Sequence, residues 1–63
     1  MPIITINILS GRSAEKKRRL IREVSEAAAR SLEVPIGTVR VLIQEVAPEH
    51  WGVGGEDKGS SSA

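Results

Sequence analysis

Residues 2–13 read PIITINILSGRS, and the first half of that stretch decides the architecture of the chain. Ile4, Ile6 and Ile8 fall on one side of an extended backbone while Thr5 and Asn7 break the other, a period of two in a β-branched run. The pattern predicts a strand over residues 3–9. Ser10, Gly11, Arg12 and Ser13 then punctuate the chain. Gly11 supplies the backbone freedom of a tight turn, Ser13 suits a helix N-cap, and Glu15 puts a carboxylate in the first turn, where the helix dipole favours it.

The helix announced there covers residues 14–32. Leu20, Ile21, Val24, Ala27, Ala28 and Leu32 form an apolar stripe in a segment otherwise rich in Lys, Arg, Glu and Ala. Glu15 with Arg19, and Glu26 with Arg30, stand in the favoured order for i,i+4 ion pairs, and Lys16, Lys17, Arg18 and Arg19 read as a solvated face. Alanine at 27, 28 and 29 permits close approach to a sheet. Pro35 ends the helix or begins a short turn. Residues 39–46 then alternate again, with Val39, Val41 and Ile43 on one face and Arg40, Leu42 and Gln44 on the other.

Two strands joined by a crossover of this length are expected to be parallel and right-handed, so the fold class is α/β, a β-α-β unit. The segment PEHWGVGG, residues 48–55, reads as a turn or small hairpin. The domain is expected to span residues 1–56, and residues 57–63, without an apolar side chain larger than alanine, to form a flexible polar tail.

Such a unit is short of core. A chain of 63 residues buries only ~60% of its unfolded surface. With no cysteine, disulfides are excluded, and a single histidine with scattered acids makes a structural metal a poor expectation, which leaves oligomerisation to cover two open edges and a bare face. Nine Lys and Arg against eight Asp and Glu lack the strongly basic balance of a nucleic-acid binder. Neither a signal-peptide pattern nor a run of ~20 apolar residues is present, and a soluble, cytoplasmic protein is expected.

Four residues stand out for chemistry. Pro2 directly follows the initiator methionine, and once that residue is removed it becomes a secondary amine whose reference pKa is ~7.7–8.0, within reach of general-base work at neutral pH when cations crowd it. Equally, a terminal proline costs a sheet edge nothing. Arg12, in a glycine turn, and Arg40, set among Val39, Val41, Leu42 and Ile43 of a strand, suit bidentate binding of a substrate's carboxylates, or else pair with glutamates across a subunit interface. Trp51 is either a wall over a ligand or an interface anchor. His50 has no Asp, Ser or Cys at triad-like or metal-like spacing, and Walker, zinc and haem patterns are absent.

Taken together, Pro2 before an isoleucine-rich strand, LSGRS, LIREVSEAAARSL, VPIGTVRV and HWGVGG resemble the short-chain tautomerase superfamily of the 4-oxalocrotonate tautomerase type, from Pro2 to about Glu56. The resemblance implies a cofactor-free and metal-free isomerase that shifts a proton in an unsaturated 2-hydroxy or 2-oxo dicarboxylic acid such as 2-hydroxymuconate, as in aromatic hydrocarbon catabolism. It implies Pro2 as general base, Arg12 on the far carboxylate, and Arg40 of a neighbouring subunit on the near carboxylate and the 2-oxygen. Trp51, Leu9, Val53 and Thr38 would line the substrate. Also implied are a four-stranded sheet per dimer and a hexamer built as a trimer of dimers, with neither nucleic acid nor membrane as partner. The alternatives are a non-catalytic subunit of a mixed hexamer, or a hydratase, dehalogenase or biosynthetic enzyme of the same fold.

Overall fold

The computed structural model describes residues 1–59. Strand β1, Ile3–Leu9, leads through a turn into helix α1, Ala14–Leu32. A 3₁₀ turn at Ile36–Thr38 delivers the chain into strand β2, Arg40–Val46, and a second 3₁₀ turn at Pro48–His50 precedes the short strands β3, Gly52–Val53, and β4, Glu56–Asp57. Strands β1 and β2 pair in parallel from Ile3 opposite Arg40 to Leu9 opposite Val46, and β3 and β4 form an antiparallel hairpin. Two successive glycines with positive φ, Gly54 at 63° and Gly55 at 89°, make that hairpin's reversal.

Helix α1 begins where the sequence puts it. Ser13 is extended, and its hydroxyl accepts the Lys16 N–H at 3.2 Å, a cap worth about 1 kcal/mol. Its end falls at Leu32, as expected, and of the two roles open to Pro35 it takes the second, leading the short turn Ile36–Thr38. The helix closes before Pro35, on Glu33, which takes the left-handed conformation at φ 57° while the Val34 N–H returns to the Ala29 carbonyl at 3.1 Å. A hydrogen-bonded reversal at the cap, and not the proline ring, stops the helix.

The period-two pattern is realised. Ile4, Ile6 and Ile8 of β1, with Val41 and Ile43 of β2, are half-buried, whereas Ile3, Thr5, Asn7, Arg40, Leu42 and Gln44 are exposed. Glu45 breaks into the half-buried row opposite Ile8, and the Lys17 ammonium meets its carboxylate at 2.9 Å. Lys17 therefore leaves the solvated face to which the sequence assigned it. Neither i,i+4 pair expected on α1 forms among the described residues. Arg19 instead turns toward Glu23 at 2.9 Å, and Glu15 stays in the first turn near the free N–H groups. The hydrogen bond to Arg19 holds the Glu23 carboxyl below the usual carboxylate range and raises Arg19 in turn, on a fully exposed surface where such pairs stabilise little.

The hairpin runs past the expected domain boundary at residue 56. Asp57 pairs with Gly52, and the Lys58 and Gly59 N–H groups both donate to the Pro48 carbonyl, at 3.0 and 3.1 Å. The rest of the expected tail, residues 60–63, lies outside the described residues.

A single copy is not a finished globule. Val39, at 9% exposure, is the one buried apolar residue among those described, while Ile3 is 66% and Leu42 51% exposed on the sheet face away from α1. The radius of gyration is 14.6 Å, against ~11 Å for a compact chain of this length. The surface of 4832 Å² likewise exceeds the ~4000 Å² of a compact monomer of this mass.

This architecture leads to two expected outcomes. Glu33→Gly removes the left-handed penalty and raises stability by about 1 kcal/mol, read from the urea midpoint at fixed protein concentration. Leu42→Glu places a charge at the centre of the bare face and breaks assembly, which shows as a smaller species by sedimentation or light scattering while α1 keeps its circular dichroism.

Candidate functional site

Parallel pairing puts both strand starts at one end of the sheet and both strand finishes at the other, and the seven residues singled out in the sequence divide accordingly. Pro2, Thr38 and Arg40 gather at the starting end. The Arg40 N–H donates to the Pro2 carbonyl at 2.9 Å, so the residue before β1 is fixed by the first residue of β2. Pro2 is half-buried, and Met1 before it is 81% exposed. Thr38 closes the first 3₁₀ turn, with its hydroxyl and its N–H both donating to the Pro35 carbonyl, at 2.7 and 3.0 Å. The Arg40 guanidinium donates to the Gly37 carbonyl at 2.8 Å. That contact anchors a side chain that the strand pattern places on the bare face.

Leu9, Arg12, Trp51 and Val53 belong to the finishing end. The Ser10 N–H donates to the Val46 carbonyl at 3.0 Å and extends the ladder by one rung past β1. Gly11, at φ 117°, then turns the chain in a conformation that a side chain would strain, and Arg12 comes next with its guanidinium on the Leu9 carbonyl at 3.1 Å. Trp51 caps the second 3₁₀ turn and is half-buried. Val53, in β3, is 63% exposed and so walls nothing within one chain.

The two groups do not meet in one copy. Between them runs the seven-residue β1, roughly 23 Å of extended chain. The described residues enclose no cavity, and no group of three or more His, Asp or Glu side chains is placed to hold a metal. What one chain offers is two separate groups of candidate residues, Pro2, Thr38 and Arg40 at one end and Leu9, Arg12, Trp51 and Val53 toward the other. Sequence reasoning missed two structural contacts, the Lys17–Glu45 pair and the hydrogen bonds to the Pro48 carbonyl. The first had a legible signal, an acid in phase with the half-buried row of β2, whereas a backbone carbonyl leaves no signal in side-chain chemistry.

Comparison with known proteins places the chain in a family. Residues 2–60 match the family model described as "Tautomerase enzyme". Over 56 residues, 89% of each chain, the protein is 61% identical to a 2-hydroxymuconate tautomerase of Pseudomonas putida, and it is 59% identical over the same length to one of Stutzerimonas stutzeri. Among solved structures, it superposes with a TM-score of 0.90 and 47% identity on a heterohexamer 4-oxalocrotonate tautomerase from Chloroflexus aurantiacus, covering 94% of this chain and 95% of that one. A 4-oxalocrotonate tautomerase homologue of the tomaymycin biosynthetic pathway superposes with a TM-score of 0.93 at 34% identity, covering 97% of this chain and 94% of that one.

Proposed function

The chain belongs to the tautomerase family, and we propose that its reaction is a proton shift in an unsaturated 2-hydroxy or 2-oxo dicarboxylic acid such as 2-hydroxymuconate, carried by the nitrogen of Pro2. Family membership makes it an isomerase. One observation carries the assignment of the base: the Arg40 N–H holds the Pro2 carbonyl at 2.9 Å while Met1 stands 81% exposed. Removal of Met1 converts a fixed amide nitrogen into a fixed secondary amine without touching the bond that positions it. A ring closed onto the backbone keeps that nitrogen from swinging as a lysine amine does.

In the reaction the amine takes the proton of the 2-hydroxyl, electrons move along the conjugated chain, and the same proton returns at a distant carbon, so nothing is gained or lost. Arg12 binds the far carboxylate and draws electron density toward it, while Arg40 of a neighbouring copy holds the near carboxylate and the 2-oxygen. Trp51, Leu9, Val53 and Thr38 line the substrate and keep water from the amine, and two guanidinium groups nearby disfavour its protonated form.

In this reading the pieces combine between copies. Pro2 and Arg12 of one chain are separated by the length of β1, far longer than a muconate-sized diacid. A second copy, paired antiparallel along the free edge of β1, brings its Arg12 beside the first copy's Pro2 and makes a four-stranded sheet. The bare face, with Ile3 and Leu42 exposed, is then covered as three such dimers close into a cytoplasmic hexamer.

Pro2→Ala lowers turnover of 2-hydroxymuconate about a hundredfold in the purified protein, checked by following the dienol's absorbance. Intact mass on the same sample shows Met1 absent, and full turnover by chains that keep Met1 overturns the assignment. Co-refolding Pro2→Ala chains with Arg12→Ala chains restores about a quarter of the wild-type rate, since that fraction of sites draws both intact residues from different copies. A site drawn from one chain gives no such recovery.

A further inference from the structure

We propose that Gly59 and the Pro48 carbonyl form a clasp that sets the position of Trp51, which makes Gly59 a positioning residue for the substrate wall; the proposal rests on the reading of Trp51 as that wall. The Pro48 carbonyl accepts three N–H groups, from Trp51 at 3.2 Å, Lys58 at 3.0 Å and Gly59 at 3.1 Å. The Lys58 N–H is shared with the Trp51 carbonyl at 2.9 Å. Both backbone polar groups of Trp51 are therefore engaged, and the chain returning from β4 supplies one of the partners.

Gly59 fits this role for a reason of space. Its φ lies outside the left-handed range, unlike those of Gly54 and Gly55. A Cβ on Gly59 would instead stand 3.2 Å from the N, the Cα and the Cβ of Glu49. Two of those atoms are backbone in the middle of the Pro48–His50 turn, which Pro48 stiffens and Trp51 caps, so they cannot swing aside as the end of a flexible side chain can. Any side chain at 59 pushes the turn, and the turn carries the indole.

Trp51 is the protein's only aromatic residue, so its fluorescence reports its own surroundings without interference. In the assembled protein, Gly59→Ala moves the Trp51 emission to the red and increases acrylamide quenching. It raises KM for 2-hydroxymuconate about fivefold and changes kcat less than about twofold, with the hexamer retained. Unchanged emission and quenching overturn the clasp. A shifted emission with unchanged KM leaves the clasp standing and overturns the placing of Trp51 against the substrate. Amide hydrogen exchange on the unmutated protein gives a second reading that no folding defect can confuse. Slow exchange at Lys58 and Gly59 supports the clasp, and exchange as fast as in an open loop overturns it.

Discussion

Everything in this small protein is organised by the parallel register of β1 on β2, which sets Ile3 opposite Arg40 and Leu9 opposite Val46. Parallel strands cannot be joined by a tight turn, so the chain needs a crossover, and α1 is that crossover. The same register decides where chemistry can happen. It carries the Arg40 N–H to the Pro2 carbonyl at the starting end, and it sends the Gly11 turn and the Trp51 segment away together at the finishing end. A slip of one residue would turn Ile4, Ile6 and Ile8 from the helix to the bare face and would break the contact that fixes the proline.

Packing within one chain is thin, and the thinness is spread evenly. The helix buries no residue fully, and the slab measures 13 Å along its shortest axis. Local devices hold what burial does not: the Ser13 cap, the reversal at Glu33 and the Lys17–Glu45 pair across the helix–sheet seam. Each contributes on the order of 1 kcal/mol or less, too little to replace a core. In the proposed assembly the remainder comes from other copies, which would tie folding energy to the same contacts that complete the site.

Much of this was legible in residue order. Ile4, Ile6 and Ile8 betray a strand by period, Ser13 and Glu15 mark a helix start, and Val41 with Ile43 repeat the strand signal. What was hidden depends on backbone geometry or on distant partners. Glu33 has no side-chain feature that demands a left-handed φ, and the proline two residues beyond it is the stronger breaker by composition. Arg19 has carboxylates four residues away on both sides, and spacing alone cannot choose Glu23 over Glu15. Residues 57–59 look like tail by composition, yet their order comes from N–H groups that every such residue possesses. The candidate site was legible as a set of side chains, whereas their division between opposite ends comes from strand direction and emerges only once the fold is built.

That division has a bearing on heredity. In the proposed assembly a gene encodes both ends of β1 but each site uses them from separate copies, so duplication of the gene would let the two daughters specialise: one line can lose its nitrogen while still lending its guanidinium, and the other can drift in the opposite sense. Neither daughter then works unaided, and the pair survives only by being inherited together.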